Sequence, residues 1–404
     1  MVTTIIGRSI EERAFAALLA TAFTITFSIA LGQMCATVCL LLLLTGLLKR
    51  QITWRWPSVM GLAATFITVA IILSAIHGEG HGLWARVGRL FWFILIPVTA
   101  TLASAPGRDR KVIGAFLGGC AVLGVKDLVW YPILAWRKPL PDYLTSLIDK
   151  GSMTDGQMLM LGVVGTVLIL MMAIKEGRRV PWYGWMILMA QISGLVINFK
   201  RGSWFCAIIL VGVAVLMHLR WRAWVLALAL LVGFFAFPPV QARMGELKRE
   251  FNVEGGGRLT MWFKIAPSLI SEHPAGVGFG CLTNDMMRQA FKRVEPNRNH
   301  LHANWAQILV ETGWLGLGLY LVWMGKTLKD GCVWVRRRGG AKGEDQVTAW
   351  VALALLVGLL LNGFVEYNFG DTELMFIYAL LMGLFGLRAR HVPDHNEATP
   401  HQGA

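Results

Sequence analysis

Long apolar runs recur from one end of this chain to the other, separated by short clusters of basic residues, and they leave few folds open. About 20 apolar residues cross a bilayer core. Inside lipid the backbone must satisfy its own hydrogen bonds, so each such run is expected to be a helix. Twelve runs qualify, at about 14–31, 33–48, 57–76, 90–105, 112–131, 157–174, 182–199, 203–219, 223–237, 304–324, 347–365 and 373–387. The fifth is interrupted by Lys126 and Asp127, which either pair or mark its outer end. Only 15% of the 404 residues are charged and 55% are hydrophobic. An average soluble domain carries about 25% charged residues, which argues against one large soluble core. The expected fold is therefore an all-α polytopic membrane protein of about twelve transmembrane helices.

The formal net charge of +14 does not indicate nucleic acid. The basic residues lie in clusters between apolar runs, as the positive-inside rule predicts for cytoplasmic loops. With the N-terminus inside, alternate loops hold Lys49/Arg50/Arg55, Arg108/Arg110/Lys111, Lys175/Arg178/Arg179, Arg220/Arg222 and Arg336–Arg338. Twelve spans then put both termini in the cytoplasm. The first run leads straight into the second, so a retained span is expected and not a signal peptide. Six cysteines, four of them inside apolar runs, show neither a disulfide framework nor metal spacing.

This orientation places one long hydrophilic loop on the outer face. The chain divides into spans 1–9 (1–239), the loop (240–301), spans 10–12 (302–388) and a disordered cytoplasmic tail (389–404). From residue 240 to His302 there are nine Arg/Lys against six Asp/Glu, with apolar positions at helical spacing such as Leu259, Trp262, Phe263 and Ala266. Two or three interfacial amphipathic helices are expected. Gly255–Gly257 place Arg258 at a helix N-terminus, where anions are favoured and a guanidinium adds a planar donor fork. Lys200 and Arg201 break the charge bias by falling on a short outer turn. They read either as snorkelling anchors or, preferably, as an anion site at the membrane face.

Polar chemistry concentrates at the mouth of the tenth span, in R-N-H-L-H-A-N-W-A-Q-I-L-V-E-T-G-W-L-G-L from Arg298 to Leu317. His300 and His302 sit at the junction. A histidine there is either an interfacial cap or a working group. If the segment is helical, residues two apart point about 200° apart, so the two histidines would not face one point. Glu311, inside an apolar span, requires a partner.

Four features in order resemble a known family: Lys200-Arg201-Gly202-Ser203 after a mid-chain span, G-R-L-T-M-W at 257–262, H-P-A-G-V-G-F-G at 273–280, and H-A-N-W-A-Q-I-L-V-E-T-G-W-L-G-L from His302. Together they are similar to the O-antigen ligase/polymerase superfamily of bacterial inner-membrane glycosyltransferases. The size and the lack of an extra C-terminal domain look most like the ligase. The resemblance implies a GT-C-like helical fold with its active site in the periplasmic loop. It also implies transfer of O-antigen from undecaprenyl diphosphate to lipid A–core oligosaccharide at the periplasmic face of the inner membrane. Two departures stand out: the family's histidine–asparagine pair is split as His302-Ala303-Asn304, and Lys200 replaces the serine that often precedes Arg201. By distance to Glu311-Thr312-Gly313, His302 is the histidine in register.

The residues suggest how such a reaction proceeds. A histidine's ordinary pKa, about 6.5, suits a base for an acceptor hydroxyl, and His302 takes that role. With no D-x-D and no outward carboxylate cluster in view, Arg201, Arg258 and Lys200 are expected to neutralise the leaving diphosphate without a metal or cofactor. The absence of a candidate nucleophilic carboxylate points to a single inverting displacement. His300, Asn304 and Trp262 complete the expected substrate contacts, together with membrane lipid and no nucleic acid. Polymerisation of lipid-linked repeats and transfer of glycan to protein use the same donor chemistry. A secondary transporter is a reading of another class, opposed by polar residues gathered in one loop and not at the midplane of a duplicated fold.

Overall fold

Helix is the one regular structure among the described residues, as apolar sequence in lipid requires. The computed structural model describes residues 9–77, 83–135, 151–218, 228, 232–233, 235–236, 238–245, 253, 257–292, 300–338 and 344–388. In chain order the helices are α1 (Ile10–Thr24), α2 (Ile29–Leu48), α3 (Met60–His77), α4 (Leu83–Val87) and, after a 3₁₀ stretch at Gly88–Ile94, α5 (Leu95–Leu102). Then come α6 (Arg108–Ala135), α7 (Met153–Lys175), α8 (Trp182–Ile197), α9 (Arg201–His218) and α10 (Pro238–Gly245). Next is α11 (Arg258–Thr260), which runs through a π turn at Met261–Ile265 into α12 (Ala266–Glu272), followed by α13 (Asn284–Ala290). The last three are α14 (Asn304–Arg337), α15 (Glu344–Gly363) and α16 (Thr372–Arg388).

Six of these, α2, α3, α6, α7, α14 and α15, are long and apolar enough to cross a membrane, and Gly88–Leu102, α8, α9 and α16 are shorter apolar helices. Exposed Met34, Leu41, Ile72, Ile76, Met189 and Leu216 turn apolar surface outward, where only lipid would accept it. The chain is an all-helical polytopic membrane protein. The ninth expected span, 223–237, lies largely outside the described residues, as do most of the 137–155 connector and the tail.

Several boundaries differ from the sequence expectation, and two have a clear cause. The first two spans part earlier, because Ser28 accepts the Leu31 N–H at 3.4 Å and starts α2 at Ile29. The tenth span does not end at 324. The helix continues to Arg337 because its first charges are matched within the bundle: Lys326 pairs with Asp330 one turn on and donates to Ser58 Oγ at 2.9 Å. At about 1.5 Å per residue, this helix outreaches the hydrocarbon core.

Lipid tails are as apolar as the side chains they replace, so close packing must hold such helices together. α6 and α8 show how. A Cβ on Gly194 would lie 2.6 Å from the Gly124 Cα, and one on Gly124 would lie 2.2 Å from the Ala190 carbonyl oxygen, so any side chain there would force the pair apart. α7 is the hub, packed against α6, α8, α9 and α15. α16 is sealed almost throughout, from Leu374 to Phe385.

Among the described residues the basic clusters gather at one end of the bundle. There Arg108 pairs with Glu11, Arg110 and Arg178 with Glu344, and Arg338 with Asp345. The opposite end carries the start of α14, the α15–α16 loop and a small apolar core of its own. In that core Met261, Ile265, Leu269, Val277, Leu282 and Met287 close on Leu301, Ala306 and Val310.

Candidate functional site

Two glycine-bearing motifs define the frame of this end. α14 is broken at Gly313, whose φ of 64° and ψ of −171° free the carbonyls before it. The His273–Gly280 loop supplies the missing donors: Val277 N–H reaches Val310 O at 3.0 Å, and Gly278 N–H reaches Glu311 O at 2.9 Å. The approach is closest at Gly276 and Gly313. A Cβ on Gly276 would stand 2.6 Å from both Glu311 O and Gly313 N, and one on Gly313 would stand 2.7 Å from the Ala275 carbonyl carbon. H-P-A-G-V-G-F-G and E-T-G are thus two halves of one joint. Glu311, which required a partner, finds it one turn back: Gln307 Nε2 donates to its Oε1 at 2.8 Å.

Gln307 also sets the segment before the helix, its Oε1 accepting from Leu301 N–H at 2.8 Å. Trp262 holds the same residue from the other side, its indole N–H donating to Leu301 O at 2.9 Å while its ring lies against Trp305. The next residue, His302, is 4% exposed and has a left-handed backbone, φ 50°. Non-glycine residues seldom adopt this conformation, and such strain gathers at functional sites. The histidines are therefore not on a helix, so the divergence expected of a helical segment does not arise: the rings of His300 and His302 meet edge to face, 4.3 Å between centroids.

The residue that sequence reasoning missed is Glu366, in the loop between α15 and α16. Its Oε2 lies 3.2 Å from His302 Nδ1, and its Oε1 accepts from the Arg258 guanidinium. A carboxylate only accepts, so the Nδ1–H of His302 donates to it. Burial alone would raise the Glu366 carboxyl. The bond to His302 and the charge of Arg258 outweigh it and hold the group below its ordinary value.

Other contacts fix the loop that carries Glu366. Asn304 Oδ1 accepts the N–H groups of Asn368 and Phe369 at 2.9 and 3.0 Å, and its Nδ2 donates to Asn368 Oδ1 at 2.7 Å. Arg89 donates to Gly370 O at 2.5 Å, and Thr154 to Asp371 at 2.8 Å. Burial holds the Asp371 carboxyl above its ordinary value, against the Thr154 bond. Asn304, expected at the substrate, is 3% exposed and turned to this loop.

Arg258 is the first residue of α11, entered through Gly257. Arg201 opens α9 after a tight turn at Phe199, φ 56°, and a Cβ on the adjacent Gly202 would lie 3.4 Å from Glu366 Oε1. Lys200 follows the same turn, its Cβ 3.2 Å from where one on Gly156 would sit. The fold thus brings all seven expected residues to one end of the bundle, with His302, Arg258 and Glu366 in direct contact. Lys126 and Asp127 at this end also pair, at 3.6 Å, and Lys126 reaches Asp155 at 3.1 Å.

Among the described residues, no group of three His, Cys, Asp or Glu stands close enough to hold a metal ion. Glu366 left one sequence signal, a carboxylate in a short loop between spans on the same side as the cations and His302. A comparison with curated proteins found no match. Residues 185–321, less than half of the chain but including all seven expected site residues, match the family described as O-antigen ligase, a match that supports the O-antigen ligase superfamily.

Proposed function

We propose that this protein is an O-antigen ligase, transferring O-antigen from undecaprenyl diphosphate to lipid A–core oligosaccharide at the periplasmic face of the bacterial inner membrane. The observation that carries this reading is the shared carboxylate. Glu366 holds a histidine through Nδ1 with one oxygen and an arginine with the other. A base and a cation are thereby set at a fixed separation, as transfer from a diphosphate requires.

The acceptor hydroxyl oxygen attacks the anomeric carbon of the lipid-linked sugar, and the bond from that carbon to the diphosphate oxygen breaks. The hydroxyl proton passes to His302 Nε2. Undecaprenyl diphosphate leaves, its charge met by Arg201, Arg258 and Lys200. One displacement inverts the anomeric configuration. His300 orients the His302 ring. Trp262 and Asn304 act through the segments they hold, Trp262 on Leu301 and Asn304 on the Glu366 loop. Arg201, Arg258 and Lys200 take on the charge that a metal neutralises in other glycosyltransferases, and Glu366 is committed to His302 and Arg258, so the step needs no metal.

Deleting the gene and separating the lipopolysaccharide by electrophoresis tests the reading. Loss of the whole O-antigen ladder while lipid-linked polymer accumulates supports it. Core bearing a single repeat would identify a polymerase instead, and an unchanged ladder would overturn both. Transfer by purified protein should persist in excess chelator; strict dependence on added divalent cation would refute the metal-free step.

A further inference from the structure

His302 sits on backbone that its own helix does not secure. Its φ of 50° lies in the left-handed region, where a residue with a side chain persists only if its surroundings hold it. Ala303, at the N-cap of α14, has no polar side chain to cap the helix. The segment is held instead at the preceding residue, Leu301, which is buried and gives both its backbone groups to side chains. Its N–H donates to Gln307 Oε1 at 2.8 Å, and its carbonyl oxygen accepts from the Trp262 indole at 2.9 Å. Trp262 reaches it from the loop, whereas Gln307 belongs to α14 itself.

We infer that Gln307, oriented by Glu311, is the positioning residue that sets the backbone of His302 for transfer; the inference rests on the reading of His302 as the base. Leu301 presents a donor, so the Gln307 carboxamide must turn its oxygen toward it and its nitrogen away. Reversed, the amide would bring two donors together. A buried amide nitrogen needs an acceptor, and Glu311, one turn on along the same face, supplies Oε1 at 2.8 Å. Glu311 is itself fixed, because its carbonyl oxygen takes the Gly278 N–H at 2.9 Å. The contacts run from Gly278 through Glu311, Gln307 and Leu301 to His302, so the His273–Gly280 loop reaches the base through one carboxamide. Gln307 and Glu311 are 1% and 2% exposed, too deep to meet a sugar or a diphosphate, and the pair therefore acts on rate and not on binding.

Transfer kinetics of the purified full-length protein, with hydrogen exchange at the Leu301 amide read by mass spectrometry, test this. Gln307→Leu keeps much of the volume and removes both bonds. Its kcat should fall about 10- to 100-fold, the scale of a slightly misplaced reacting group, with KM for the lipid-linked donor within about threefold of wild type. The Leu301 amide should exchange at least about tenfold faster. Because Gln307→Leu strands the Leu301 N–H and can unsettle the fold, the swap Gln307→Glu/Glu311→Gln is the second variant. A carboxylate at position 307 can accept from the Leu301 N–H and from an amide at position 311, so kcat and Leu301 protection should return to within about threefold of wild type. A kcat unchanged in Gln307→Leu, a rise in KM with kcat kept, unchanged Leu301 exchange, or a swap variant that transfers about tenfold or more below wild type would overturn the proposal. A wild type that transfers no glycan would refute the ligase reading instead, and Leu301 exchange would still test the chain of bonds.

Discussion

Replacing Glu366 by glutamine tests the site at its centre. The side chain keeps its size, loses its charge and presents an amide that can donate to His302. The 3.2 Å contact with Nδ1 and the ion pair with Arg258 both change character. If His302 is the base, its Nε2 must hold the lone pair, and a donor at Nδ1 favours the opposite tautomer. The loss should then approach the whole contribution of general base catalysis, about 10²- to 10⁴-fold in kcat. KM for the lipid-linked donor should shift as well, because Arg258, which meets the diphosphate, loses its carboxylate partner. Stability should fall by about 2 kcal/mol, the scale of a hydrogen bond to a charged group, tempered by the partial exposure of Arg258.

The dependence on pH has a definite sign. Glu366 is held below its ordinary value in the folded protein. Its stabilisation is therefore complete above the unfolded carboxyl value, about 4.3, and is lost as pH falls through the lower folded value. The wild type should lose stability on that acid limb, and Glu366→Gln should lack this component. Transfer by purified protein, with melting temperature followed against pH, reads all of this. If Glu366→Gln transfers within about tenfold of wild type while His302→Ala is inactive, the carboxylate does not position the base and the reasoning fails.

Three further outcomes follow from the same frame. Gly313→Ala should lower stability by about 1–3 kcal/mol, since φ is 64° and the new Cβ would meet the Ala275 carbonyl carbon at 2.7 Å; an unchanged melting temperature would refute the joint between the two motifs. Asn304→Ala should leave the Asn368 and Phe369 N–H groups unpaired, at about 1–3 kcal/mol for each buried donor; a transfer defect without a fall in melting temperature would return Asn304 to the substrate. His300→Ala should cost less than about tenfold in transfer and His302→Ala at least about a hundredfold; the reverse order would exchange their roles.

What was legible in the sequence depended on how far apart the partners lie. Among the described residues the apolar runs carry the helices, and the basic clusters gather at one end, because both signals are local and lipid enforces them. The continuation of α14 past residue 324 was not legible, because Lys326 is matched partly by Ser58, far back in the chain. The relation of the two histidines was not legible, because rotation per residue applies only within a helix, and Gln307 and Trp262 hold Leu301 outside one. Glu366 is the limiting case. It lies 64 residues from His302, in a loop whose local sequence resembles any polar turn between spans.

Two physical requirements nevertheless narrow the search for such a residue. A buried histidine acting as base needs an acceptor at its other nitrogen, and an arginine at a membrane face needs a counter-charge. A polytopic fold lets only loops of one side meet, which leaves the carboxylates of the short connections on that side. In the α15–α16 loop these are Glu366 and Asp371. Asp371 is committed to Thr154, and Glu366 answers both requirements with one carboxyl group. Counting unmet charge by side, once orientation is assigned, is therefore the step that carries a membrane sequence from its helices to its site.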